Sequence, residues 1–100
     1  MEEKLLKIIN HYGVNNQQRK LQEEVFELNE AILEHRFADG ITYHIAEEIA
    51  DVMVMLEQFK LYYDISSEEI TNIFWGKVER QLDRIKKETD NYLLEKESDK

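Results

Sequence analysis

Apolar residues recur along this chain at steps of three and four, the period of one helix face, and no stretch alternates with period two long enough to predict a strand. Leu5, Leu6, Ile8 and Ile9 supply the apolar side of a first helix over residues 3–12, and Gly13 fits its C-terminal stop. Asn15 or Asn16 can cap a second helix that runs to about His35, because an Asn side chain accepts from unpaired first-turn N–H groups. Ala38, Asp39 and Gly40 read as a loop, and Thr42 as the cap of a third helix that runs to about Tyr63. Ser66 with Glu69 makes a capping box for a fourth helical stretch, which opens on Ile70, Ile73 and Phe74 and continues through Val78, Leu82 and Ile85. Gly76 interrupts it and marks either a kink or a close helix contact, since Gly costs about 1 kcal/mol against Ala in a helix.

The pattern predicts an all-α chain, a compact bundle of about four helices. With no Pro and only three Gly among 100 residues, composition favours the same class. One domain over residues 1–94 is expected, with 95–100 as a charged, frayed tail. Hydrophobic residues make up 42 %, enough for a modest core, and small chains of this kind gain stability by oligomerising. A net charge of −9 argues against general nucleic-acid binding, which needs a basic surface. Cysteine is absent, which excludes disulfides, thiolate metal sites and a Cys nucleophile. The acidic N-terminus does not read as a secretion signal, and no apolar run approaches the ~20 residues of a membrane span. A cytoplasmic protein without membrane attachment is the expectation.

Within this helical pattern, one acidic arrangement occurs twice. Leu21, Val25, Leu28 and Ile32 form an apolar stripe on the second helix, and Ile45, Ile49, Val52 and Leu56 form the same stripe on the third. At about 100° per residue, Glu24 and Glu48 lie just beside these stripes, and Glu27 and Asp51 about one step further round. If the two helices pack together, four carboxylates converge. Their mutual repulsion and desolvation then call for cations. Such an all-oxygen set suits Mg2+, with Mn2+ as a substitute, better than iron, which would want Glu-x-x-His. The competing reading is a pair of solvated helix faces, with Lys20 placed four residues before Glu24 to pair with it. Glu23 and Glu47 point further from the stripes, to solvent or to an outer role. His44 lies one turn before Glu48 and is either a surface residue or its hydrogen-bond partner.

The last helix carries the opposite charge. Lys77, Arg80 and Arg84 share a face, extended by Lys87, and suit a polyphosphate whose other oxygens are neutralised by metal. An exposed face paired with Glu79, Asp83 and Glu88 explains them equally simply. Trp75 beside this stripe can stack on a base or pack into the core.

The run Glu23-Glu24-Val25-Phe26-Glu27 followed by Glu48-Ile49-Ala50-Asp51 resembles the E-E-x-x-E … E-x-x-D signature of the MazG-like all-α nucleoside triphosphate pyrophosphohydrolases. Lys20-Leu21 and Val52 also look like that family, and the resemblance spans roughly Gln17 to Arg84. It implies Mg2+-dependent hydrolysis of an NTP or dNTP to the monophosphate and pyrophosphate, by attack of an activated water on the α-phosphorus. Glu24, Glu27, Glu48 and Asp51 would be the metal ligands and catalytic residues, with Glu27 as a candidate proton acceptor. Lys77, Arg80, Arg84 and Trp75 are the residues expected on the substrate. The resemblance also implies a homo-oligomer, a dimer or tetramer. Met53-Val54-Met55 departs from the Tyr-His of the phosphoribosyl-ATP branch, and dimeric dUTPases are much longer. Two further readings stay open: a non-catalytic nucleotide- or protein-binding module on the same scaffold, and an acidic mimic of nucleic acid.

Overall fold

The computed structural model describes residues 2–38 and 42–98. Four helices make up the described chain: α1 (Glu2–Tyr12), α2 (Val14–Ala38), α3 (Tyr43–Tyr62) and α4 (Ser67–Ser98). The all-α class follows directly. Asp39 and Gly40 of the expected loop lie outside the described residues, and Ala38 closes α2.

The helix boundaries show which local signals were used. Gly13 adopts φ +87, the left-handed conformation that suits Gly, and its N–H donates to the Ile9 carbonyl at 2.8 Å to close α1. The next helix starts at once, with the Gln17 N–H donating to the Gly13 carbonyl at 3.0 Å. No Asn side chain caps α2. Asn16 instead donates from Nδ2 to the Tyr12 carbonyl at 2.8 Å, satisfying the end of α1. Thr42 does take the N-cap position of α3, its carbonyl accepting from the Ala46 N–H at 3.0 Å, but its φ and ψ are helical and its side chain makes no capping bond.

At the other end of α3 the Ile65 N–H donates to Lys60 and the Asp64 N–H to Leu61, a Schellman closure with Asp64 at φ 55 in the place Gly usually takes. Ser66 then does cap α4, its Oγ accepting from the Glu69 N–H at 3.1 Å. Gly76 interrupts nothing: α4 continues through it, and an added Cβ would meet no atom within 4 Å. The helix runs to Ser98, over the first part of the stretch expected to fray, where Glu and Lys are good helix formers.

The chain divides into two units, Met1–Ile65 and Ser66–Lys100. In the first, α2 packs on α3 and α1 packs across both. The expected four-helix bundle is therefore a three-helix packing in this unit, with α4 a unit of its own. Burial in the first unit recurs on α2 at Gln17, Leu21, Glu24, Leu28, Ala31 and His35, and on α3 at Ile45, Glu48, Val52, Met55 and Phe59. These are the alternating three- and four-residue steps of helices packed nearly parallel or antiparallel.

The seam differs from the sequence expectation by one residue in both helices. Leu21 and Leu28 keep their places, but Glu24 and Ala31 are buried instead of Val25 and Ile32. On α3, Glu48 and Met55 take the places expected for Ile49 and Leu56. Val25 is 49 % exposed while Glu24 is 6 % exposed. The acids are inside the seam rather than beside it. No described residue of α4 is buried, and no described helix is long and apolar enough to cross a membrane.

Candidate metal centre

Because α2 and α3 carry the same acidic pattern and face each other through it, Glu24, Glu27 and Glu48 converge. One carboxylate oxygen of each lies within 4.8 Å of the others, the one such group of metal-binding residue types among the described residues. Lys20, one turn before Glu24, reaches Glu24 Oε1 at 3.0 Å and Glu23 more distantly at 3.9 Å. The pairing that would make this an ordinary solvated face therefore exists, but it satisfies only one of the two Glu24 oxygens.

Glu24 Oε2 and Glu48 Oε2 are both buried and have no hydrogen-bond partner. Buried polar atoms in folded proteins are nearly always paired, and an unpaired buried acceptor costs about 1–3 kcal/mol. Two such oxygens within one cluster of carboxylates fit a divalent cation, which takes oxygen ligands and cancels their repulsion. The donor set contains oxygen only, which suits hard divalent cations rather than softer metals.

The electrostatics agree. The Glu27 carboxyl is pushed above its ordinary 4.5, first by the negative charge of Glu24, then by desolvation and by Glu48, with Lys20 pulling the other way. Lys20 is held above 10.5 by its hydrogen bond and attraction to Glu24. For a carboxyl raised in the folded state, the native chain binds the proton more readily than the unfolded one. Between 4.5 and the raised value, stability of the metal-free chain should then fall as pH rises. Thermal melts in chelator should show the midpoint rising on acidification through that window, and saturating Mg2+ should flatten the dependence. A metal-free midpoint that falls steadily with acidification would count against the cluster.

The remaining expected site residues are placed as follows. Asp51, one turn after Glu48, is exposed and does not join the triad; it lines a cleft together with Glu24. Glu23 and Glu47 are exposed, as their helical phase predicts, and His44 is exposed with no hydrogen bond to Glu48 among the described residues. Trp75 is 58 % exposed and meets Phe74 edge-on at 5.2 Å rather than packing in a core. Lys77, Arg80 and Arg84 are exposed on α4 at the expected spacing, and Lys87 pairs with Asp83 at 3.4 Å.

Sequence reasoning named Lys20 but missed Gln17, Arg19 and Gln58 beside the triad. The cleft holding Glu24 and Asp51 has a volume of about 610 Å³ and lies among α1, α2 and α3. Arg19 and Lys20 supply its positive charge, and Gln17 and Gln58 its buried polar atoms. Gln17 lies two turns before Glu24 on the same seam, so the correct helical phase would have singled it out; Gln58 shares the cleft from α3.

No protein-family model, no curated protein and no solved structure matches this chain.

Proposed function

We propose that this chain is an Mg2+-dependent nucleoside triphosphate pyrophosphohydrolase, converting an NTP or dNTP and water to the monophosphate and pyrophosphate. One observation carries the reading: two buried, unpartnered carboxylate oxygens, Glu24 Oε2 on α2 and Glu48 Oε2 on α3, belong to one cluster with the Glu27 carboxylate. The acidic motifs that resemble the MazG-like family supply the reaction type.

Glu24, Glu27 and Glu48 would hold Mg2+, while Asp51, the fourth acid of the motif, stands outside the triad in the cleft lining. When bound, Mg2+ supplies Lewis-acid polarisation of phosphate oxygens and makes a water more acidic. Glu27, the exposed member of the triad, would take the proton as water oxygen bonds to the α-phosphorus. The bond from the α-phosphorus to the bridging oxygen breaks, and pyrophosphate leaves with that oxygen. Lys20 and Arg19 line the cleft that holds Glu24 and would neutralise phosphate charge by charge-assisted hydrogen bonds. A cytoplasmic setting, with its nucleotides and Mg2+, goes with this reading.

The reading includes a homo-oligomer, and two features support one. The one-residue shift of the seam leaves Val25, Ile32, Ile49 and Leu56 exposed on the first unit. On α4, Trp75, Val78, Leu82, Ile85, Thr89 and Tyr92 follow coiled-coil spacing, and the Thr89 hydroxyl is used within its own helix, donating to the Ile85 carbonyl at 2.9 Å.

The test is a panel of canonical and modified NTPs and dNTPs, with pyrophosphate and monophosphate both measured. Turnover in Mg2+ that disappears in chelator is expected. Nucleotide binding without turnover on any substrate would favour the non-catalytic module instead, for which the buried oxygens would still hold the cation.

A further inference from the structure

The apolar seam of α4 has the same spacing read in either direction. Trp75, Val78, Leu82, Ile85, Thr89 and Tyr92 are 3, 4, 3, 4 and 3 residues apart, symmetric about the midpoint between residues 83 and 84. A second copy running the opposite way therefore meets this seam with every layer in register. Trp75 then faces the partner's Tyr92, Val78 the partner's Thr89, and Leu82 the partner's Ile85. Each layer pairs side chains of similar size: aromatic rings at the two ends, branched aliphatic chains at the centre, and the near-isosteric Val and Thr between. The Thr89 hydroxyl already donates to the Ile85 carbonyl at 2.9 Å, so its methyl can face Val78 without stranding a donor.

Charge separates this arrangement from the parallel one. The seam positions beyond the apolar run are Lys96 at one end and Thr71, then Glu68, at the other. Parallel pairing sets each residue against itself, so Lys96 would oppose Lys96 and Glu68 would oppose Glu68. Antiparallel pairing sets Lys96 against the partner's Thr71, and Lys96 ends the seam by lying 5.3 Å from the Tyr92 ring centroid.

The flanks agree. Glu79 and Lys86 each follow a seam residue directly, on the same side of the helix, and neither makes an ion pair within the chain among the described residues. Same-side flanking residues meet across an antiparallel pair, which brings Glu79 to the partner's Lys86 and Lys86 to the partner's Glu79. Parallel pairing joins opposite flanks, and there Gln81 meets Lys86 and Glu88 meets Leu93, with no opposite charges.

We infer that α4 pairs antiparallel with α4 of a second copy, about a twofold axis at residues 83 and 84, and that Trp75 belongs to this interface rather than to a substrate site. Such a contact is isologous, so each pair occurs twice. Lys77, Arg80 and Arg84 lie off the seam and stay on the outer face. The inference rests on the homo-oligomer of the proposed reading, and adds its orientation and its contacts.

Cysteine cross-linking tests it, since the native chain has no Cys. Val78→Cys and Thr89→Cys are made separately, one carrying a mass tag, and oxidised alone and after mixing. Antiparallel pairing places residue 78 beside the partner's 89, but leaves 78 and the partner's 78 about 16 Å apart along the axis, beyond disulfide reach. Disulfide-linked dimers should therefore form in the mixture and not from either variant alone. Charge exchange gives a second readout. Glu79→Lys should raise the dimer dissociation constant about tenfold, and Glu79→Lys/Lys86→Glu should return it to within about threefold of native. Cross-linking of either variant with itself, no cross-link in the mixture, or a double variant no tighter than Glu79→Lys overturns the pairing. A dimeric mass with self-cross-links leaves the homo-oligomer standing, whereas a monomeric native mass removes both. Pyrophosphate release is measured separately and decides the enzyme reading alone.

Discussion

Glu48→Gln is expected to abolish metal-dependent turnover while raising the melting temperature of the metal-free chain. The two effects have one cause. Glu48 Oε2 is buried without a partner beside Glu24 Oε2, so the native state without cation carries uncompensated negative charge. A neutral amide of the same shape removes one charge, and its NH2 can donate to the orphaned Glu24 oxygen. An unmade buried hydrogen bond costs about 1–3 kcal/mol, so relief of that order is expected. For a domain of this size, that corresponds to roughly 4–8 °C per kcal/mol.

The same change removes one of the three proposed metal ligands. Activity should fall by more than the 10–100-fold typical of losing a metal's outer-shell partners. Stabilisation by Mg2+, which depends on binding to the native state alone, should largely vanish. Melting curves with Mg2+ and with chelator, beside a pyrophosphate assay, read all three effects. A metal-free variant less stable than the native chain would show that Glu48 is a structural carboxylate with a partner of its own, and the cation site would lose its main support. Glu24→Gln should behave alike but gain less, because it also gives up the ion pair with Lys20 at 3.0 Å.

Leu82→Asp/Ile85→Asp on α4 should break the proposed homo-oligomer into monomers. A 32-residue helix without a buried residue has little to hold it, since isolated helices draw most of their stability from packing of an apolar face. The seam from Trp75 to Tyr92 provides that face. Its two aromatic members, 58 % and 56 % exposed, each bring a little over half of the roughly 150–250 Å² that a buried aromatic covers. This is a substantial part of the ~800 Å² per partner in a standard interface. We therefore expect a second copy of the chain to cover it.

Each buried Leu or Ile is worth about 1.5–3 kcal/mol. Leu82 and Ile85 are 53 % and 57 % exposed, so about half of that remains to be gained, and replacing both in each of two chains should raise the dissociation constant by about two orders of magnitude or more. Light scattering coupled to size exclusion would report the mass, and circular dichroism the accompanying loss of α4 helix. A native chain that is monomeric at all concentrations, or a variant whose mass is unchanged, removes the seam from consideration. Measuring the metal response of the variant separates assembly from the acid cluster, which lies entirely on α2 and α3.

Much of this molecule is determined locally. Three- and four-residue spacing, absence of Pro, the αL Gly13 and the Ser66 cap specify four helices, because helix formation and capping depend on neighbours a turn away. The repeated E-x-x-E/D pattern likewise specifies which acids share a face, since i and i+3 side chains project together on any helix. Local periodicity does not choose among adjacent faces only 100° apart. On α2, both Leu21-Val25-Leu28 and Leu21-Glu24-Leu28 have helical spacing, and hydrophobicity favours the first. Packing of α2 on α3 selected the second, in both helices, and so placed Glu24 and Glu48 within the seam with an oxygen each unpaired. Only the tertiary structure could join Gln17 to Gln58, 41 residues apart, or leave Asp51 outside the triad. Those are contacts between helices, and a periodic sequence determines which side chains share a face but not which face meets a neighbour.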